Sequence, residues 1–183
     1  MKFTTTPIEG LLFLEPKVFE DERGHFFESF NEAEMSEYGI KGPFIQDNQS
    51  VNHKNVLRGL HFQKDPYQQG KLVRVVKGSV IDVVVDIRKE SKTFGKHFSV
   101  ELNGKEKIML WIPAGFAHGF VSLEDDTVFL YKVTEYYRPI AESGIIYNDI
   151  ELNIDWKINN PLVSQKDKIL PSFNEFKQSM NVK

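Results

Sequence analysis

At 183 residues, the chain can bury one substantial hydrophobic core without disulfides or a structural metal, so we expect a single domain over residues 1 to 183. It has no cysteine, which excludes disulfides, thiolate metal sites and cysteine nucleophiles and is typical of a cytoplasmic protein. The net charge of −3 forms no basic stripe for nucleic acid, and no apolar run suits a signal peptide or membrane span.

Short apolar runs rich in Val, Ile, Phe and Tyr recur between turn residues, which predicts a mainly β protein. In chain order, we predict strands over residues 11–19, 25–30, 56–62, 71–76, 80–87, 97–102, 107–112, 118–122 and 128–134. A short helix is predicted over 32–38, capped by Asn31 and ended by Gly39, and another over 173–180. Many short antiparallel strands favour a sandwich or barrel.

The segments 71–76 and 80–87 form the clearest predicted hairpin, because only Lys77, Gly78 and Ser79 separate them. Within the second segment, Asp82 has the opposite parity to Val83 and Val85. One face of this strand is therefore predicted to be partly polar.

Candidate functional residues occur where ionisable groups stand beside glycine or aromatic residues. Arg58 and His61 have an odd offset, which would put them on opposite faces of a regular strand, but a bulge at Gly59 would bring both inward. Tyr131 and Tyr137 have an even offset, so both rings can face one side of a strand. Taken singly, each of these residues is more often structural than functional. The segments that contain the candidates are 23–28, 46–48, 58–63, 69–71, 113–120 and 131–137.

Together, these segments resemble the dTDP-4-dehydrorhamnose 3,5-epimerase family, in order and over almost the whole chain. The matching motifs are Arg-Gly-Leu-His-Phe-Gln at 58–63, Gln-Gly-Lys-Leu-Val-Arg-Val at 69–75, Ile-Pro-Ala-Gly-Phe-Ala-His-Gly-Phe at 112–120, Tyr-Lys-Val-Thr-Glu-Tyr-Tyr at 131–137 and Ser-Gln-Lys-Asp at 164–167. The resemblance implies a cupin-type jelly-roll barrel with short peripheral helices, usually a homodimer. It also implies cofactor-independent epimerisation at C3 and C5 of a dTDP-linked 4-keto-6-deoxy sugar, on the route to dTDP-L-rhamnose for cell-surface polysaccharide.

The metal site of other cupins is not expected. Residues 113–118 resemble the second cupin metal motif, which supplies one histidine, but the first motif requires His-x-His followed by Glu. Here Gln63 stands where the second histidine would be, after His61 and Phe62. Too few ligands remain for a divalent ion.

The resemblance also assigns catalytic roles. It implies that His61 is the base that removes the protons beside the C4 ketone, with Asp167 as its carboxylate partner. Tyr131 matches the acid on the opposite face of the sugar, and Lys71 matches the cation at the C4 oxygen, where it would stabilise the enolate.

The remaining candidates match substrate-binding positions of the family. Arg58 suits the diphosphate because its guanidinium fits phosphate geometry, and Tyr137 matches the ring that stacks on thymine. Phe19 and Phe26 are expected in the pocket wall. The other substrate-binding candidates are Arg23, Glu28, Gln46, Asn48, His118, Glu142 and Lys166.

Other functions remain open from the sequence. A relative that inverts only C5 or only C3, or a ketoisomerase, would need the same base and enolate stabilisation. A non-catalytic sugar-nucleotide-binding cupin would keep Arg58 and Tyr137 but would not need His61, Lys71 and Tyr131. A metal-dependent cupin oxygenase lacks ligands.

Overall fold

A computed structural model describes residues 1 to 180. Short strands dominate, as predicted. The strands are β1 (Lys2–Thr5), β2 (Leu12–Glu15), β3 (Phe19–Asp21), β4 (Gly24–Phe26), β5 (Gln46–Asn52), β6 (Val56–Gln63), β7 (Lys71–Lys77), β8 (Ser79–Asp86), β9 (His97–Asn103), β10 (Met109–Ile112), β11 (Phe116–Ser122), β12 (Thr127–Val133), β13 (Glu142–Gly144) and β14 (Leu162–Val163). The helices are α1 (Glu32–Glu37), α2 (Phe173–Ser179) and a 3₁₀ turn at Asp167–Ile169.

The strands form two main sheets that pack face to face. The first sheet has the order β1-β2-β10-β7-β12-β5, and the second has the order β13-β6-β11-β8-β9, with β14 pairing parallel to β6. Side chains from both sheets share one buried core, including Val73 and Phe129 from the first and Val84 and Phe120 from the second. This two-sheet arrangement confirms the predicted jelly-roll barrel.

The predicted hairpin of residues 71–76 and 80–87 is wrong. β7 pairs with β10 and β12 in the first sheet, whereas β8 pairs with β11 and β9 in the second. The loop between them therefore crosses from one sheet to the other. Gly78 has a φ of +80° at this crossing, and a Cβ there would lie 2.4 Å from the Thr127 hydroxyl, so the position requires glycine.

Other strand predictions hold in part. The segments predicted over 11–19 and 25–30 are too long, since β2 ends at Glu15 and β4 ends at Phe26. β5 was not predicted, because its polar sequence lacks apolar alternation. It is a strand because it pairs along its whole length with β12.

Both predicted helices are present. The Asn31 side chain accepts from the Glu34 amide to cap α1, and Ser172 and Glu175 form a capping box on α2. Met35 of α1 packs outside the first sheet, and Phe173 of α2 packs outside the second. Within residues 1 to 180, no helix is both long and apolar enough to cross a membrane.

Candidate active site

A cavity of about 360 Å³ opens between the two sheets, and we call it the barrel cavity. The second sheet contributes residues of β6 and β11 to its wall, and the first contributes residues of β5, β7 and β12. Its lining contains the predicted Asn48, Arg58, His61, Lys71, His118 and Tyr131, together with Asp47, Gln49, Ser50, Gly119, Phe120 and Phe129.

A close approach between Gly59 of β6 and Gly119 of β11 allows both Arg58 and His61 to face this cavity. The register of β6 against β11 shifts between the pairs His61 with His118 and Arg58 with Phe120, which is the kind of irregularity that Gly59 made possible. Gly59 has a φ of +125°, and a Cβ there would lie 2.5 Å from the Gly119 Cα. Only glycine permits this approach of the two strands, which sets the positions of Arg58 and His61.

His61 and Asp167 form a hydrogen-bonded pair at the wall. Nε2 of His61 lies 2.8 Å from Oδ1 of Asp167, and the Gly59 amide donates to the other carboxylate oxygen at 3.2 Å. Burial opposes the charge of Asp167, but the hydrogen bond and charge of His61 and further bonds from Gly59 and Ser164 hold its pKa below the usual value. An ionised Asp167 accepts from Nε2 and leaves Nδ1 of His61 as the basic nitrogen.

Lys71 and Tyr131 approach from the first sheet. Lys71 is buried, and its Nζ donates to the His61 carbonyl at 3.3 Å, which brings its charge across the space between the sheets. Burial lowers the pKa of Lys71 to about 8, and the charge of Asp82 opposes that shift. Burial raises the pKa of Tyr131, so its phenol keeps its proton at neutral pH.

A buried asparagine, Asn52, holds the side chain of Arg58 in place. Its Nε donates to Oδ1 of Asn52 at 2.9 Å, and Asn52 is itself buried and bonded to the Thr127 carbonyl. The guanidinium charge lowers the pKa of Tyr131 against the larger effect of burial. The arrangement fixes a cation at the cavity wall, where an anionic group of a ligand can meet it.

Asp82, which the sequence did not single out, contacts the predicted His118. Its Oδ2 lies 2.8 Å from Nε2 of His118, and both side chains are buried. The available signal was the parity of Asp82 in its strand, which placed it on the face opposite Val83. That signal did not reveal its partner, because β8 meets β11 only in the folded sheet.

Three predicted residues form a second cluster beside the cavity, which we call the rim: Tyr137, Glu142 and Lys166. The Tyr137 hydroxyl donates to Glu142 at 2.6 Å, and Lys166 pairs with the same carboxylate at 2.5 Å. Tyr137 lies beyond the end of β12 at Val133, so the strand parity used to relate it to Tyr131 does not apply. Gln46 connects the rim to β5, because it accepts from the Tyr137 amide at 3.2 Å and donates to Asn48 at 2.8 Å.

Arg23, Phe26 and Glu28 do not line the barrel cavity. Arg23 and Phe26 belong to the separate β3–β4 hairpin, where Arg23 is paired with Asp21. Phe19 and Phe26 are 54% and 66% exposed, and they line a separate surface cavity of the hairpin rather than the barrel cavity. Glu28 follows the hairpin and lies 3.5 Å from the Asn31 amide group.

Two further observations define the site. A larger cavity of about 440 Å³ also borders Lys71, but its lining contains neither His61 nor Tyr131, so we assign the chemistry to the barrel cavity. Among the 180 described residues, no group of three or more His, Asp or Glu side chains is arranged to hold a metal.

Comparison with known proteins identifies relatives along nearly the whole chain. Residues 5–175 match the family model described as dTDP-4-dehydrorhamnose 3,5-epimerase. The enzyme of that name from Shigella flexneri is 53% identical over 168 residues, which cover 91% of this chain and 93% of the relative.

Solved structures agree with the sequence comparison. A Legionella pneumophila 3,5-epimerase in complex with dTDP-4-keto-L-rhamnose superposes with a TM-score of 0.93 at 45% identity, covering 98% of this chain and 96% of that one. A 3'-monoepimerase from Streptomyces bikiniensis in complex with dTDP-quinovose has a TM-score of 0.91 at 32% identity, covering 96% and 89%. The same architecture therefore serves relatives described as inverting two centres or one.

Proposed function

Since the chain belongs to the dTDP-4-dehydrorhamnose 3,5-epimerase family, we propose which of its residues perform each step of that reaction. The enzyme converts dTDP-4-dehydro-6-deoxy-D-glucose to dTDP-4-dehydro-L-rhamnose in dTDP-L-rhamnose biosynthesis. One observation carries the assignment: His61 and Tyr131 line the same cavity from different sheets. Inversion of a carbon centre requires a base on one face of the sugar and an acid on the other.

His61 acts as the base. Because its Nε2 is bonded to Asp167, Nδ1 removes the proton from C5 or C3. The electrons of the broken C–H bond move to the C4 oxygen and leave an enolate. Asp167 orients the ring and stabilises the imidazolium that forms.

Lys71 stabilises the enolate oxygen. A buried ammonium interacts more strongly with a full negative charge at the C4 oxygen than with the neutral ketone. The interaction therefore lowers the barrier to proton removal rather than only tightening substrate binding.

Tyr131 then gives its phenolic proton to the same carbon from the opposite wall. Its raised pKa keeps the proton available before the step. His61 releases its proton and Tyr131 regains one before the second centre is inverted. Arg58 holds the diphosphate, and the ring of Tyr137 at the rim stacks on thymine.

Deuterium incorporation tests the assignment of base and acid. In heavy water, NMR should show exchange at both C3 and C5 with the native enzyme. His61→Asn should lower both exchange and product formation about 10²- to 10⁴-fold. Tyr131→Phe should retain exchange while inversion falls, because His61 still forms the enolate and can return a proton to the same face.

The control is His53→Asn, which changes an exposed histidine that faces Asp125 at 3.9 Å. It should exchange and invert as the native enzyme does. Native-rate exchange in His61→Asn, or equal loss of exchange and inversion in Tyr131→Phe with dTDP affinity retained, would contradict the roles. Exchange at a single carbon in the native enzyme would favour a monoepimerase.

We also propose that the enzyme is a cytoplasmic, cofactor-independent homodimer in which Arg23, Phe26 and Glu28 complete the nucleotide site of the partner subunit. The exposed Phe19 and Phe26 rings support this, since large exposed aromatic side chains commonly mark an interface. Refolding Arg23→Ala together with His61→Asn tests it. Random pairing makes about a quarter of all sites intact, which restores activity at low substrate concentration. A mixture no more active than its two components would overturn the shared site.

A further inference from the structure

Asp82 is a fully buried carboxylate that contacts His118, a residue of the barrel cavity wall. Its Oδ2 is bonded to His118, whereas Oδ1 has no hydrogen-bond partner within residues 1 to 180. A buried carboxylate oxygen without a partner costs folding free energy, so its retention calls for an explanation outside stability. The proposed roles of His61, Lys71 and Tyr131 do not use Asp82.

The bond to Asp82 selects one tautomer of His118. Nε2 must carry a proton in order to donate to the carboxylate, and Nδ1 then has a free lone pair. Burial lowers the pKa of His118, an effect that Asp82 opposes and that Lys71 and His61 reinforce, so the ring is neutral at neutral pH. Nδ1 of His118 is thus an acceptor in a cavity where the neighbouring cations are donors. The hydroxyls of the sugar are the substrate groups that can donate to it.

The charge of Asp82 also acts on Lys71, which lines the barrel cavity together with His118, the residue that Asp82 bonds. Several titratable or charged groups surround this lysine: Arg58 and His61 on β6, Asp82 on β8, His118 on β11 and Tyr131 on β12, with Lys64, Asp65, Arg88 and Lys89 around the larger cavity. Burial disfavours the ammonium, and the charge of Asp82 is what raises the Lys71 pKa against it. Without that charge, Lys71 would lose its proton at a lower pH.

We propose that Asp82 is a positioning residue that fixes His118 as a hydrogen-bond acceptor for a hydroxyl of the sugar and keeps Lys71 protonated. The carboxylate of Asp82 thereby makes His118 a hydrogen-bond acceptor and keeps Lys71 a cation. The inference rests on the proposed function, because it takes Lys71 and His118 to face the substrate.

The first test is ¹⁵N NMR of the imidazole nitrogens in the enzyme without substrate. The His118 signals are assigned by their loss in His118→Gln. At pH 7, the native enzyme should show a protonated Nε2 and an unprotonated Nδ1. Asp82→Asn should populate the other tautomer as well, because an amide can either accept from Nε2 or donate to it. A native His118 protonated at Nδ1, or an unchanged tautomer in Asp82→Asn, would overturn the proposal.

The second test is the pH profile of kcat. Lys71 acts in its protonated form, so kcat of the native enzyme should fall as pH rises through about 8. In Asp82→Asn this fall should begin at lower pH, and kcat at neutral pH should decrease about ten- to a hundredfold, as for other groups that orient an active-site residue. If kcat of Asp82→Asn falls at the same alkaline pH as kcat of the native enzyme, the proposed effect of Asp82 on Lys71 is overturned.

Asp86→Asn is the matched control, because Asp86 is a fully buried aspartate of the same strand that bonds Arg88, Ser91 and Thr93 instead. It should lower thermal stability without changing the His118 signals or the alkaline pH at which kcat falls. The native tautomer needs only His118→Gln for its assignment, so the proposal stays testable even if Asp82→Asn does not fold. If the expected tautomer is found in an enzyme without epimerase activity, the proposed function fails and the assignment of His118 does not.

Discussion

The barrel cavity and the rim are built in different ways, although both hold residues that the sequence associates with one substrate. In the cavity, His61, Lys71 and Tyr131 project from strands paired on both sides. At the rim, Tyr137 is 49% exposed and lies beyond the end of its strand. The backbone hydrogen bonds of the sheets hold the strands that carry the cavity residues in place before the substrate binds. The rim residues can adjust to the substrate when it binds. We therefore expect substitutions in the cavity to act mainly on the chemical step and those at the rim mainly on binding.

The largest effect that tests this difference is expected for Lys71→Met, which keeps the length of the side chain and removes its charge. Loss of enolate stabilisation should lower kcat about 10²- to 10³-fold. Affinity for dTDP, measured by calorimetry, should remain within about twofold because the nucleotide does not include the ketone. Lys77→Met, at the exposed end of the same strand, should change neither kcat nor dTDP affinity. Parallel losses in kcat and dTDP affinity would erase the distinction between cavity and rim.

A smaller effect is expected for Tyr137→Ala at the rim. Removing one stacked aromatic ring should weaken dTDP binding about three- to tenfold, the usual contribution of an aromatic pair. kcat at saturating substrate should change less than the affinity does. Tyr136→Ala provides the control, since Tyr136 is the adjacent residue and is similarly exposed. Unchanged dTDP affinity in Tyr137→Ala would mean that the rim is not part of the nucleotide site.

No effect is expected from chelation. If the cavity residues alone stabilise the enolate, exhaustive treatment with EDTA should leave kcat unchanged, because Lys71 supplies the positive charge that a metal would otherwise provide. The measurement compares treated enzyme with and without added divalent ions. Lost activity that one equivalent of an ion restores would mean that the cavity is incomplete without a metal.

The placement of Arg58 and His61 in one cavity has a local cause that the sequence allowed. The two residues are close in the chain, and a bulge at the intervening Gly59 is what brings residues of odd offset to the same face. The residues that sequence analysis missed depend on pairing between distant strands. Asp82 meets His118 because of the register of β8 with β11, in which Asp82 pairs with Phe120 and His118 with Val84. No local periodicity encodes that register.

The same limit explains the wrong hairpin. Lys77, Gly78 and Ser79 correctly predicted a break between two strands, but a turn signal does not specify which strand lies beside which. β5 shows the converse, since its sequence Gln-Asp-Asn-Gln-Ser-Val-Asn predicts no strand and its partner β12 makes it one. Arg23, Phe26 and Glu28 were recognised only by resemblance, and their exposure in one chain gives no local reason for the role proposed for them.

The crossing at Gly78 has a consequence for how the protein folds. Because β7 and β8 enter different sheets, neither sheet can assemble from a continuous stretch of chain. β12 must find β5 across 74 intervening residues (53–126), and β10 must find β2 across 93 (16–108). Such non-local pairing slows folding and makes it cooperative. The lining of the cavity extends from Asp47 to Tyr131 and alternates between the two sheets, so limited proteolysis within this span should yield inactive peptides, without an intermediate that retains the sugar site.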